Sequence, residues 1–404
     1  MSSSLHAAIE IGSGKIICAV AERDAHGELY IIGHGHAPSD GLKRGVVVDM
    51  DKTVRAIKRA VKDAELTSGT IVERVTLGLS GDHIRSLNSN GAISVGRGDR
   101  EITRDDVARV NGSAKAITIP ADREVVHLIP QRYAVDDQQG ILDPIGMTGS
   151  RLEVETHIVT TSLTSARNLY RAFERCSVGI DRLVVQGIAI GTTISKTHDR
   201  TGNCVIVDIG ADLTEVIMLV DGAIQATSSL PIGGRDITND LAIGLRVSPD
   251  HAEEIKIAYG AAHESVGDLS EQVSATSNSA AGRESTRADV IAIIQARLEE
   301  IFSLVAREIK RELGPVRING GILLSGGTSQ LPGIETLVEE LFELPARTVE
   351  LDSFAHVPDE LGTPRGVAML SLLHYAMTHP PDLAGKRGAR NIMTKVETWI
   401  GRYF

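Results

Sequence analysis

Two stretches of this chain, about 195 residues apart, repeat one pattern: an apolar strand, a glycine turn and a second apolar strand. The first is LHAAIEIGSGKIICAVA at 5–21 and the second is NCVIVDIGADLTEVIMLVDGAI at 203–224. A duplication of this kind requires two related halves, each with its own sheet. A third glycine turn, Gly326-Gly327-Thr328, follows the short apolar run GILLS. Glycine lets a backbone approach a ligand closely and turns its N–H groups toward anions. Lys15, at the end of the first turn, adds a point charge suited to phosphate. One such turn is an ordinary hairpin. Three in this order, with the acid Asp208 just before the second, predict a nucleotide held between the two halves.

The remainder reads as α/β. DMDKTVRAIKRAVKDAEL at 49–66 predicts a helix whose Val54, Ile57, Val61 and Ala64 share one face, with Lys and Arg opposite. SARNLYRAFERCSVG predicts another, closed by Gly179 as C-cap, and ADVIAIIQARLEEIFSLVAREIKREL a long amphipathic one. Residues 83–158 mix short strands, charged helical stretches and turns, and read as a small module inserted into the first half. Residues 264–287, rich in Ser, Ala, Gly and Glu, read as a loop. Cys18, Cys176 and Cys204 each lie in an apolar run without a CxxC pair, so buried thiols are expected rather than a disulfide or zinc site. The formal net charge of −11 argues against nucleic acid as a partner. The opening MSSSLHAAIE lacks the basic start and apolar stretch of a signal peptide, and no apolar run reaches about 18 residues, so an intracellular protein without a spanning helix is expected.

The order of the three turns resembles that of the actin-like ATPase superfamily, which implies two facing domains with ribonuclease-H-like sheets and a nucleotide in the cleft. On that resemblance Gly12, Ser13, Gly14 and Lys15 form the first phosphate segment. Asp208, Gly210, Ala211, Asp212, Leu213 and Thr214 form the second, and Gly326, Gly327 and Thr328 the adenosine segment. AEEIKIAYG resembles the helix flanking the base and ribose, placing Glu253 and Lys256 near the nucleoside, with the pair Gly233 and Gly234 beside it. LSGDHIRSLNSNGAISV, VVHLIPQRYAVDDQQGILDPIGMTGSRLEVETHIVT, GIDRLVVQGIAIGTTI and GLKRGVVVDMDKTVRAI narrow the resemblance to the FtsA family of bacterial cell division proteins, over essentially the whole chain.

That family implies a first actin-like domain at 1–82, 159–202 and 353–377, interrupted by the inserted subdomain at 83–158. It implies a second domain with core segments 203–243 and 316–352 and a nucleoside- and partner-binding subdomain at 244–315. It also implies ATP or ADP binding with Mg²⁺, weak hydrolysis at most, self-assembly into a filament, and contacts with other divisome proteins. Asp208 and Glu10 would reach the metal through water. Arg297 and Glu300, on the long helix, would bind the C-terminal tail of the tubulin-like protein FtsZ. Two departures stand out. Glu10 replaces the aspartate common in actin relatives, and DIGADLT replaces a run of glycines, so Asp212 and Leu213 bring charge and bulk where phosphates would lie. An anion there is unfavourable unless a cation intervenes or the side chain turns away; the plainest expectation is that Asp212 faces solvent. A cytosolic sugar-kinase-like enzyme and a PilM-type pilus-assembly protein share the superfamily and are the alternatives.

The final NIMTKVETWIGRYF, behind a linker at 378–390, separates these readings. On a wheel of about 100° per residue, Ile392, Met393, Val396, Trp399, Ile400, Tyr403 and Phe404 fall within roughly 140°, with Lys395 and Arg402 together off that arc. About 21 Å of helix is too short to span a bilayer. Five basic residues and one acid follow from Lys386 onward, and Trp399, Tyr403 and Phe404 are three of the chain's twelve aromatics. Residues 391–404 are therefore expected to lie in an anionic membrane surface; the family resemblance implies that this is the cytoplasmic side of the inner membrane at the division site.

Overall fold

The computed structural model describes residues 4–24, 28–96, 100–197, 202–273, 285–351 and 354–379. The first half opens with β1 (Ser4–Ile11), β2 (Lys15–Arg23) and β3 (Leu29–Pro38), continues through the short pair β4 (Leu42–Lys43) and β5 (Val46–Val47), and then forms α1 (Met50–Ser68) and β6 (Arg74–Leu79). Asp49 caps α1 by accepting the Lys52 N–H, and Gly69 ends it in the left-handed region at φ +67°. The face predicted from spacing is the buried one, carrying Val54, Ile57, Val61 and Ala64. Each of these larger side chains contributes roughly 1.5–3 kcal/mol on full burial.

An inserted module follows: β7 (Arg85–Ser94), α2 (Arg104–Ser113), β8 (Arg123–Val135), β9 (Gln138–Ile141) and β10 (Arg151–Ser162). Its strands form a sheet in the order β7-β10-β8-β9, and its own small core includes Val110, Leu152 and Val154. The chain then returns through α3 (Leu163–Cys176), β11 (Gly179–Val185) and α4 (Gln186–Thr197). The end of α3 differs from expectation. Ser177 takes the left-handed cap at φ +59°, its N–H bonding to Glu174 and Phe173 carbonyls. Gly179 instead starts a strand, because its N–H is taken by the Glu73 carbonyl at the head of β6.

The second half repeats the first. β12 (Cys204–Ile209), β13 (Thr214–Val220) and β14 (Ala223–Leu230) precede α5 (Gly234–Leu245) and α6 (Pro249–Tyr259). The short strands β15 (Gln272–Val273) and β16 (Ser285–Thr286) pair with each other, and residues 274–284 of the expected loop lie outside the described residues. α7 (Arg287–Leu313), β17 (Ile322–Ser325), α8 (Ile334–Phe342), β18 (Ala346–Thr348) and α9 (Val367–Thr378) complete the order, with 3₁₀ turns at Gly327–Gln330 and Pro364–Gly366. The linker from 380 and the segment 391–404 also lie outside the described residues.

The two large sheets have the same topology. In β3-β2-β1-β6-β11 the first three strands are antiparallel and the last two join in parallel. In β14-β13-β12-β17-β18 the same directions recur. The duplication seen in the sequence is thus a duplicated sheet, the architecture the actin-like resemblance implied. Ile206, Ile217 and Ile224 of the second half are buried in one hydrophobic cluster with Ile188 and Ile194 of α4, so the halves share a core beneath their cleft.

The inserted module also reaches the second half, along the edge strand β14. Ser86 Oγ donates to the Thr227 carbonyl at 2.6 Å, and Asn88 Nδ2 to that of Gln225 at 3.0 Å. Gln131 Nε2 donates to the Ile224 and Gln225 carbonyls at 2.8 and 2.9 Å. These bonds satisfy backbone groups that an exposed sheet edge would leave free. Cys18 and Cys204 are buried as expected, while Cys176 is only half-buried; none of the three forms a disulfide. Among the described residues no helix is long and apolar enough to cross a membrane.

Candidate functional site

The first two glycine turns have one geometry. The Gly12 N–H closes its turn on the Lys15 carbonyl at 3.0 Å, and the Gly210 N–H closes the other on the Leu213 carbonyl at 2.8 Å. Each turn follows the central strand of its sheet, β1 or β12. The third turn leaves β17 at Gly326, whose φ of +89° an L-side chain rarely adopts; a Cβ there would lie 2.4 Å from the Ile209 carbonyl oxygen. The first turn of α5 closes on the second turn, with the Gly234 N–H on the Gly210 carbonyl at 2.9 Å and the Arg235 N–H on the Ala211 carbonyl at 2.7 Å.

These segments line one cleft of about 770 Å³ between the halves. Gly12, Ser13, Gly14, Lys15, Asp208, Gly210, Ala211, Asp212, Leu213, Gly234, Glu253, Lys256, Gly326, Gly327 and Thr328 face it, together with Glu10. Two of the expected set stand back. Gly233 caps α5, and Thr214 is fully buried with its hydroxyl donating to the Ile232 carbonyl at 2.8 Å. Lys256 Nζ holds the α5 start from below, donating to the Gly234 carbonyl at 3.1 Å and Thr238 Oγ1 at 2.8 Å while pairing with Glu253 at 2.6 Å.

Several polar cleft residues escaped the sequence reading, among them Gln186, Glu215, Arg235 and Arg365, as did Ser325 behind Asp208. Glu215 and Ser325 have a plain origin. In register, Asp208 lies opposite Glu215 on β13 and opposite Ser325 on β17, so three strands place their side chains in one row. A glutamate inside the apolar run TEVIMLV was a readable signal. Gln186 had none, since it reaches the cleft only because β11 and α4 meet beside β6. Arg365 comes from a 3₁₀ turn far along the chain.

Two acids of that row and Glu10 of the other sheet line the same cleft and are buried. Glu10, Asp208 and Glu215 are 7%, 8% and 4% exposed. Ser325 Oγ donates to Asp208 Oδ1 at 2.7 Å. Glu10 Oε2, Glu215 Oε2 and Gln186 Nε2 have no hydrogen-bond partner among the described residues. Burial raises the pKa of all three carboxyls. For Glu215 the shift is large, because the charges of Asp208 and Glu10 add to desolvation. Lys15 sits among these acids with its own pKa lowered, burial outweighing the opposing pull of Glu10; its Nζ donates to the Arg365 carbonyl at 3.3 Å. Among the described residues no three His, Cys, Asp or Glu side chains converge on a direct metal site. The orphaned carboxylate oxygens suit a hydrated cation instead.

This arrangement predicts a pH dependence. A carboxyl whose pKa is raised above the ordinary 4.5 keeps its proton in the folded state after the unfolded chain has released its own. Its contribution to stability is therefore present at low pH and lost as pH rises through the raised value. Glu215→Gln should raise stability at pH 8 by about 1–3 kcal/mol, the scale of relieving a buried unsatisfied group, with little change at pH 4. Calorimetric unfolding of the ligand-free protein at both values checks this; equal shifts at both would contradict it.

Asp212 corrects the expectation that it faces solvent. It is 7% exposed, with Oδ1 2.7 Å from Arg235 Nη1 and Oδ2 accepting the Arg44 N–H at 3.2 Å. Leu213 is likewise buried. An arginine and a backbone donor offset the charge that the sequence left exposed to phosphates. Outside the cleft, on α7, Arg297 forks onto Asp240 of α5 at 2.5 and 2.9 Å and pairs with Glu300. The hydrogen bond to Asp240 raises its pKa further. Ile243, on the same face of α5 as Asp240, is 77% exposed.

Known proteins match this geometry at two levels. The family model described as the SHS2 domain inserted in FTSA matches residues 81–160, and that described as cell division protein FtsA matches residues 205–370. The chain is 36% identical over 406 residues to cell division protein FtsA of Neisseria meningitidis, covering 98% of each. It is 34% identical to that of Pseudomonas aeruginosa, covering 94% of this chain and 91% of the relative, and 30% identical to that of Escherichia coli K12, covering 98% and 95%. Among solved structures, the PilM–PilN type IV pilus biogenesis complex aligns at TM-score 0.68 and 16% identity over 93% of this chain and 99% of the other. MreB5 of Spiroplasma citri bound to ADP aligns at TM-score 0.55 and 11% identity, over 93% and 96%. At such identities the structural likeness establishes the actin-like fold.

Proposed function

Because this chain belongs to the FtsA family of cell division proteins, we propose that it is an ATP-binding, polymerising adaptor that tethers FtsZ to the cytoplasmic face of the inner membrane and helps assemble the divisome. The observation that carries the nucleotide part is the convergence of three glycine turns, Lys15 and Asp208 on one cleft between duplicated sheets. The turns of Gly12–Lys15 and Gly210–Leu213 would hold the phosphates through backbone N–H groups, with Lys15 adding charge. The segment at Gly326–Thr328 and the α6 residues Glu253 and Lys256 would border the nucleoside. Asp208 and Glu10 would orient the water shell of Mg²⁺, which when bound supplies the positive charge that separates these carboxylates from phosphate. Hydrolysis, where it occurs, is weak. Calorimetric titration of the whole chain with Mg-ATP and Mg-ADP tests the reading, and absence of binding to both would remove it.

For FtsZ, the support is a charged and apolar strip across α5 and α7. Arg297 and Glu300 lie on it with Asp240, and Ile243 is exposed alongside. An acidic, apolar tail peptide would trade carboxylates with Asp240 for the Arg297 fork. Arg297→Glu should weaken an FtsZ tail peptide by roughly 30-fold or more, the cost of reversing one partner of a desolvated charge pair. Fluorescence anisotropy reads this, and equal affinity with an unchanged melting temperature would take Arg297 out of the site. Self-assembly has a candidate surface on the inserted module, where Leu142 and Ile145 are 73% and 45% exposed after the edge strand β9. Apolar side chains beside a free strand edge suit coverage by a second copy.

A further inference from the structure

The pair Asp212–Arg235 is not accounted for by the reading above. Arg235, on the first turn of α5, spans the tips of both phosphate turns. Its Nη1 lies 2.7 Å from Asp212 Oδ1 on the second turn, and its Nη2 donates to the Ser13 carbonyl on the first at 3.1 Å. The first half answers from its own side. The Arg44 N–H reaches Asp212 Oδ2 at 3.2 Å, and the Gly45 N–H reaches Ser13 Oγ at 3.2 Å. The turns themselves nearly touch, since a Cβ on Gly14 would lie 3.0 Å from that of Ala211. Asp212 is buried while Arg235 is 45% exposed, and both face the cleft.

A guanidinium fork binds carboxylate and phosphate with the same geometry. Asp212 therefore occupies a cation that lines the cleft and bridges both phosphate turns. Resting on the nucleotide reading, we propose that Arg235 is a terminal-phosphate sensor held in reserve by Asp212, and that their pair sets how strongly the cleft favours a nucleoside triphosphate over a diphosphate. A terminal phosphate carries more charge and more acceptor oxygens than a carboxylate, so it competes for the fork. A diphosphate leaves the guanidinium shared between Asp212 and the Ser13 carbonyl. Transfer of Arg235 to phosphate also releases the Ser13 carbonyl, which loosens the tie between the turns and couples phosphate occupancy to the contact between the halves.

The test is calorimetric titration of the full chain with Mg-ADP and with a non-hydrolysable Mg-triphosphate analogue, for the parent and for Asp212→Asn, Arg235→Gln and Arg235→Lys. Asp212→Asn keeps the shape and removes the competing charge, so the triphosphate-to-diphosphate affinity ratio should rise about fivefold or more, within the usual range of coupling between sites. Arg235→Gln should bring the ratio close to one, and Arg235→Lys should recover part of it by charge without the fork. Unchanged ratios in Asp212→Asn and Arg235→Gln overturn the sensor while leaving nucleotide binding intact. If the parent binds neither ligand, the nucleotide reading and the sensor both fall. Should Arg235→Gln not fold, Asp212→Asn decides alone.

Discussion

Deleting residues 391–404 should leave the protein in the supernatant when it is spun with vesicles rich in anionic phospholipid, whereas the full chain should sediment. The segment concentrates the only Trp of the chain with Tyr403 and Phe404 at one end of an apolar arc, and Lys395 and Arg402 off it. Each basic residue near an anionic leaflet contributes about 1 kcal/mol, so binding should weaken with salt and with neutral lipid. A single segment of this kind should bind reversibly, and several on an assembly should bind far more tightly, because each further tail would already be confined near the surface. Because α9 reaches Thr378 and His379 caps it, the linker is shorter than the 378–390 expected; the remaining eleven residues would span about 18 Å if flexible, enough for neighbouring tails to reach one surface together. Lys395→Glu combined with Trp399→Glu should reproduce most of the loss without shortening the chain. Sedimentation of the deletion at the full-length level would overturn the tether.

Lys15→Ala should weaken nucleotide binding at least about 100-fold, the scale of truncating one partner of a desolvated charge pair. The reason lies in its surroundings more than in its own charge. Lys15 stands between Glu10 and Asp208, whose carboxyls are buried, and its Nζ also ties the first turn to the Arg365 carbonyl. Without it Arg365 is the cation left acting on Glu10, and incoming phosphates meet more repulsion from Glu10, Asp208 and Glu215. Lys15→Arg should restore part of the affinity, since it returns the charge with a different shape. The measurement is Mg-ADP titration, paired with thermal unfolding to show that the variant folds. Binding within a few-fold of the parent would assign phosphate recognition to the backbone turns alone.

How much of this was readable depended on the range of the contacts. The tight turns at Gly12 and Gly210 follow from neighbouring residues, and each closes by a hydrogen bond across three positions. The buried face of α1 follows from period alone. The end of α3 did not, because Gly179 was drawn into β11 by the Glu73 carbonyl, a partner more than a hundred residues away. Gln186 and Arg365 were invisible for the same reason. Asp212 was visible but misjudged, since its two partners, Arg235 and Arg44, come from a different helix and from the other half.

The amino-acid sequence by itself determined the duplication, the glycine turns that end the central strands, and the family, because these reside in local pattern and residue type. It also carried the amphipathic arc of the last fourteen residues, which is a property of spacing. Only the tertiary structure decided that three buried carboxyls from two sheets share one cleft, that Lys15 sits among them, and that Asp212 is paired. Burial and charge pairing arise between segments far apart in the chain, and their energies depend on distance and on exclusion from water, which local pattern does not contain.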